Sequence, residues 1–187
     1  MGIYGPSPAE AHMSSEHFLL HRNDWIPNNP TLPVILYHRV LPEGAAEETA
    51  SGFEQLFERN GWRPQWRDGV FDYHHYHSTA HEVLGFAAGW ARLMLGGPQG
   101  REARVSAGDA TLLPVGTGHC LIERSEDFWV VGAYPRDQNF DVCRSAPSAE
   151  TTKAMAALGS PNSDPVGGAH GPLTRLWRQR ASTEVRP

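Results

Sequence analysis

Lysine is almost missing from this chain: Lys153 stands alone in a total of 16 basic side chains, against 21 acidic ones. The net charge of −5 leaves no basic excess, so nucleic-acid binding is not expected. Cysteine is scarce too. Cys120 and Cys143 make no disulfide framework and suit a reducing, cytoplasmic compartment. No apolar run approaches the ~20 residues of a membrane-spanning helix, and no membrane partner is expected. The first 20 residues lack a basic stretch followed by an apolar one, so no secretory leader is expected. Against these shortages stand 19 Gly, 15 Pro and ten His in 187 residues. The first two imply many turns. The third is an excess of the side chain that most often binds metals and titrates near neutrality.

The length suits one domain. Residues 1–15, rich in Pro, Ala and Ser, and residues 179–187 are expected to be loose, leaving a single domain over 16–178. Pro33–His38 reads as a strand entered by proline. Residues 43–60 place Phe53, Leu56 and Phe57 on one helical face, with Asn60-Gly61 as the stop. Seven short apolar or β-branched runs follow: 70–77, 82–87, 90–95, 103–106, 110–113, 119–123 and 128–134. Strands at this spacing, separated by Gly and Pro, predict an all-β sandwich or barrel. Beyond Pro135, residues 147–158 suit a short helix capped by Ser148. Residues 171–177 suit an extended segment packed on the domain.

Four of the ten histidines fall within eight residues: His74, His75, His77 and His81. In an extended strand, side chains alternate faces. His75 and His77 therefore share a side, and Ser78-Thr79-Ala80 can bend the chain so that Glu82 joins them from the next strand. Two imidazoles and a carboxylate make three donors for a divalent ion. His119, after the tight turn Pro114–Gly118, is the candidate fourth. Gly108-Asp109 upstream suits a turn needing positive φ, Pro114 fixes φ before the loop, and Gly116 and Gly118 let the backbone pass close to a neighbouring strand.

These positions carry a resemblance. Gly69-x5-His75-x-His77-x4-Glu82-x6-Gly89 resembles the first motif of the cupin superfamily. Gly108-x5-Pro114-x-Gly116-x2-His119 resembles the second. At background frequencies of roughly 5–10% each, nine such coincidences arise about once in 10^10 alignments. Only the second motif's closing Asn is replaced, by Glu123. The text from His74 to Gly85 further resembles the YjlB-like cupins, with support from Asn60-Gly61-Trp62, from 131–135 and from 171–173. The similarity covers roughly residues 17–177. It implies a double-stranded β-helix, the cupin jelly-roll barrel, with one or two short peripheral helices. It also implies one divalent transition metal (Fe, Mn, Ni, Co or Zn) held by His75, His77, Glu82 and His119.

Other residues divide between packing and chemistry. His81 and His74 alternate away from the donor side and read as packing or hydrogen-bonding groups, with His81 a secondary contact candidate. Tyr73 shares the parity of His75 and is a cavity candidate. Trp90, Arg92 and Met94 share one strand face, read as barrel core, with Arg92 a candidate clamp for an anionic substrate. Cys120 is expected to face outward. Trp62, Trp66 and Phe71 read as helix-to-barrel packing, and Arg175, Arg178 and Arg180 as a solvated run.

The function expected is a metal-dependent enzyme acting on a small molecule, of dioxygenase, isomerase or lyase type. The alternatives are a non-enzymatic cupin that binds a metal or small ligand for sensing or storage, and a barrel stapled by its metal. A homodimer is expected, with Phe18–Leu20 crossing to the partner.

Overall fold

The computed structural model describes residues 13–177. The tail expected to be loose, with Arg178 and Arg180, lies outside the described residues, as does the N-terminal segment through residue 12. Among the described residues the order is β1 (Ser14–Phe18), β2 (Val34–His38), α1 (Ala46–Arg59), β3 (Trp62–Asp68), β4 (Glu82–Ala88), β5 (Trp90–Leu95), β6 (Arg101–Ser106), β7 (Ala110–Leu113), β8 (His119–Arg124), β9 (Trp129–Pro135), α2 (Ala149–Ala157) and α3 (Pro172–Leu176).

All strand pairings are antiparallel. Six strands form one sheet in the order β1-β2-β7-β4-β9-β3, and β6-β5-β8 form a second. The sheets meet face to face. Val34, Leu36, Leu84, Phe86 and Val130 of the large sheet pack on Ala91, Leu93, Leu95 and Val105 of the small one. This is the expected jelly-roll barrel. The larger sheet is buried on its outer face as well: Ile35, Tyr37, Val83 and Val131 pack on Phe53 and Phe57 of α1 and on Leu173 and Trp177. Burial on both faces is why β4 reads as an almost unbroken apolar run. Its even positions, Glu82, Leu84 and Phe86, share the barrel side.

Several expectations need correction. Among the described residues there are three helices rather than one or two, because residues 172–176 form α3 instead of an extended segment. Pro172 occupies its first turn, where a missing N–H costs nothing. Residues 62–68, expected only to flank the helix, form the edge strand β3, whose register slips between Pro64 and Trp66. The run 70–77 is not a continuous strand; it holds only isolated bridges at His75 and Tyr76. Trp90, Arg92 and Met94 face outward, while Ala91, Leu93 and Leu95 fill the core. The first strand begins at Ser14, inside the stretch expected to be loose, and pairs with β2.

Helix α1 carries Glu47 and Glu48 in its first turn and Arg59 in its last, both favourable to the helix dipole. Its grip on the sheet rests on Phe53 and Phe57, both fully buried. Replacing Phe53→Ala is expected to cost about 3–5 kcal/mol, read as a fall in the urea midpoint. A loss below about 1 kcal/mol would show that α1 is not part of the cooperative unit.

Candidate metal centre

Backbone pairing assembles the site before any side chain is considered. His75 N donates to His119 O at 3.2 Å, and His119 N donates to His75 O at 2.9 Å. This bridge fixes the His75 segment beside the start of β8. The turn before β8 is tied in by Gly116 N, which donates to His77 O at 2.8 Å. Gly116 has φ +86, and a Cβ there would lie 2.9 Å from the Asn28 carbonyl oxygen, so glycine is required. Glu82 enters as the first residue of β4.

His75, His77, Glu82 and His119 are thereby brought together, all at least 94% buried. The imidazole donor atoms of the three histidines lie within 4.8 Å of one another, a cluster able to hold a metal ion. Each ring is oriented through Nδ1. His75 Nδ1 faces Tyr73 O at 3.1 Å, His119 Nδ1 faces Thr117 O at 3.1 Å, and His77 Nδ1 faces Asp141 O. A carbonyl only accepts, so each Nδ1 carries a proton and Nε2 is the atom that each ring turns inward. Glu82 Oε2 stands 3.2 Å from His77 Nε2 and 3.2 Å from His119 Nε2. His77 Nε2 and Glu82 Oε2 are completely buried and have no hydrogen-bond partner. Imidazole nitrogens and a carboxylate thus face one another.

The titration behaviour follows from this crowding. Burial drives the His75 imidazole down to about 3, helped by the neighbouring His119. For His77, burial is the largest influence and pulls downward, but the charge and hydrogen bond of Glu82 together with Asp141 outweigh it, and the net direction is up. For Glu82, burial pushes upward, yet His77 and His119 hold it well below the usual carboxylate range. The cluster is poised to hold positive charge against a fixed carboxylate.

The second layer was not legible beforehand. Tyr134 Oη donates to Glu82 Oε1 at 2.5 Å and accepts from Trp66 Nε1 at 2.9 Å. Burial, reinforced by Glu82, raises the Tyr134 phenol, so it stays a donor. Trp66 lies flat against Gly132, where a Cβ would come within 2.0 Å of the indole. Trp66 and Phe71 therefore line the cavity and do not serve helix packing, whereas Trp62 packs on the helix side as expected. Asp141 takes Ser78 N at 2.6 Å and Ser78 Oγ at 2.5 Å, and its carbonyl orients His77. These bonds strap residues 139–143 over the site. Phe140 stacks on Tyr134 with centroids 4.4 Å apart and planes at 10°. The donors lie at the floor of a cavity of about 230 Å³.

The remaining candidates fall elsewhere. Tyr73 touches the His75 ring edge and supplies its carbonyl, but it does not line the cavity. Arg92 is outside altogether, paired at 3.0 Å with both Glu102 and Glu123, which corrects its reading as an anion clamp. Glu123, at the position of the missing motif Asn, serves that surface pair. Cys120 takes the outer face of β8 beside Met94, as expected, but is covered there, with Sγ 3.7 Å from His74 Nε2. Arg175 is exposed.

No family model matches the chain. The uncharacterised protein YjlB of Bacillus subtilis strain 168 is 35% identical over 154 residues, spanning 81% of this chain and 90% of that protein. The chain belongs to the YjlB-like cupins. Among solved structures, the dimethylsulfoniopropionate (DMSP) lyase DddQ of Ruegeria pomeroyi DSS-3 is 15% identical at TM-score 0.34, over 73% of this chain and 54% of that one. A cupin 2 domain-containing protein of Halorhodospira halophila is 11% identical at TM-score 0.30, over 81% of each chain. A variant of the Bacillus subtilis oxalate decarboxylase OxdC is 16% identical at TM-score 0.34, over 69% of this chain and 29% of that one.

In this YjlB-like cupin His81 is a packing residue beside the donors. It is fully buried, accepts Val115 N at 2.9 Å through Nδ1, and lies 4.8 Å from the Trp177 ring. Burial lowers its imidazole to about 4, so it stays neutral. His81→Ala removes that acceptor and leaves a buried N–H unpaired, which is expected to cost about 2–4 kcal/mol. Metal uptake by the same folded variant should equal the parent's; a folded variant that takes up no metal would place His81 in the donor set.

Proposed function

We propose that the chain is a metal-dependent enzyme acting on a small molecule, with His75, His77, His119 and Glu82 holding one divalent transition ion (Fe, Mn, Ni, Co or Zn). One observation carries the proposal: the inward-facing acceptor atoms, two of them buried without any partner. A buried, unpaired carboxylate oxygen costs several kcal/mol unless a cation answers it. The 3.2 Å separations also suit the group. Two donors each ~2.1 Å from one ion stand about 3.0–3.4 Å apart.

A bound ion of this kind supplies Lewis acidity, and oxygen chemistry if it is redox-active. The protein's own residues do the rest. Three backbone carbonyls hold the imidazoles in one tautomer. Tyr134 fixes the orientation of Glu82 by occupying its second oxygen. Leu84, Trp66 and Phe140 keep bulk water from the floor. The donors face the cavity, so a ligand entering it reaches the same point. That openness favours a catalytic role over a staple. The two-layer apolar core favours it as well, because it gives the barrel a stability that does not depend on a metal.

A homodimer belongs to the same proposal. Among the described residues β1 pairs on one side only, with β2, and Ser14–Glu16 are exposed along that edge.

Elemental analysis of the purified protein after metal loading is expected to find about one ion per chain, and less than a tenth of that in folded His77→Ala. Parent protein that takes up no metal overturns the proposal. At a metal concentration about 100-fold above Kd, binding contributes about 2.7 kcal/mol, so chelation should lower Tm by roughly 5–10 °C and leave the protein folded. Unfolding on chelation would favour a staple. Light scattering should give twice the 20.6 kDa chain mass, and a single-chain mass would remove the dimer.

A further inference from the structure

We propose that the ligand of this cavity is an uncharged, largely apolar molecule of about nine non-hydrogen atoms, with a flat ring and one oxygen directed at the histidine floor. This rests on the metal-centre proposal for the role of the oxygen; its account of the walls stands without it.

The charge around the cavity excludes an anion. Among the described residues lining the cavity, none is Lys or Arg. The nearby cations are committed elsewhere. Arg67 is held by Glu47 at 2.5 Å and Glu54 at 2.7 Å, and Arg144 is exposed and lies over the Tyr73 ring at 3.9 Å. The lining does contain two carboxylates, Glu82 at the floor and Asp68. A divalent ion with both carboxylates and three neutral imidazoles sums to no net charge. An anionic ligand would bring uncompensated charge into an apolar site whose lining holds no Lys or Arg to receive it.

The polarity of the walls leaves room for one polar end. The polar atoms of the walls already satisfy one another: Trp66 Nε1 donates to Tyr134 Oη, and Tyr134 Oη donates to Glu82 Oε1. The atoms left without partners, His77 Nε2 and Glu82 Oε2, are at the floor. A ligand with one polar end matches this arrangement; a second polar group would be desolvated without a partner.

The shape of the cavity suits a flat ring. The walls are Trp66, Leu84, Phe71, Val142 and Phe140, with Phe140 stacked on Tyr134. Phe71 and Phe140 remain 47% and 36% exposed beside Val142 at 42%, an apolar rim through which such a ligand enters. An apolar cavity of about 150 Å³ accommodates benzene, so about 230 Å³ takes about nine non-hydrogen atoms.

The test compares p-cresol with benzoate, matched in ring and size but differing in charge at pH 7. Titration calorimetry uses the full chain loaded with Zn(II), which has no redox chemistry to turn the probe over, and the chelator-treated chain. Zinc content is measured in every sample. The Zn(II) protein is expected to bind p-cresol at least ten-fold more tightly than benzoate, and the metal-free protein to keep the same preference. Phe140→Ala is expected to weaken p-cresol at least five-fold at unchanged zinc content. Equal or tighter benzoate binding in either form overturns the inference, as does absence of binding by both probes in the millimolar range or unaltered binding by Phe140→Ala. Failure to take up zinc overturns the metal-centre proposal alone, because the metal-free comparison still decides the walls.

Discussion

A carboxylate inside the barrel is the constraint around which this structure is arranged. Glu82 is 2% exposed, and it occupies the same face of β4 as Leu84 and Phe86, which fill the apolar core. Placing a negative charge there is costly unless positive charge or donors meet it. One oxygen is answered by the Tyr134 hydroxyl. The other faces imidazole nitrogens whose protons are committed to the far sides of their rings. In metal-free protein the balance falls to a proton: the charge and hydrogen bond of Glu82, together with Asp141, carry His77 upward against its own burial. A divalent ion meets the same demand from the same atoms.

That arrangement depends on backbone more than on side chains. Three carbonyls, of Tyr73, Thr117 and Asp141, set three tautomers. Each belongs to a segment fixed by independent pairing. The His75–His119 bridge joins the first two segments, and the bonds from Asp141 to Ser78 and from Cys143 to Tyr76 fasten the third. A disturbance of any one pairing would rotate a ring rather than delete a donor. The site is therefore sensitive to positions that touch neither metal nor ligand.

The parts of this site that were legible in sequence were those written in a strict period of two. His75 and His77 share a side, Glu82 aligns with Leu84, and His119 follows a turn that needs glycine at 116; alternation and turn chemistry suffice for each. The second layer obeys no such rule. Trp66 sits past a register slip beside Pro64, where alternation breaks, so its direction could not be counted off. Tyr134 lies in an apolar strand and reads as core until its hydroxyl is seen against Glu82. Asp141 lies outside any strand or helix, 64 residues from the imidazole it orients. Alternation alone also could not say which side of β5 is inner. Trp90 and Met94 are as apolar as Leu93 and Leu95, and only the facing sheet decides between them. Pro172 could have signalled α3, since proline followed by Leu-Thr-Arg-Leu suits a first helical turn.

The same comparison bears on why the donors are there at all. The large sheet is covered on both faces, by the small sheet and by α1 with α3, so hydrophobic burial alone accounts for a stable barrel. Nothing in that packing requires a charge at position 82 or three histidines around it. An apolar residue in each place would close the cavity floor and remove the desolvation penalty. The chain instead keeps a locally unfavourable group, orients it from two directions and leaves it open to a lined cavity. A violation of the packing rules this well supported belongs to function. The walls around it, with no Lys or Arg among their described residues, suit the proposed ligand, whose only polar demand is met at the floor.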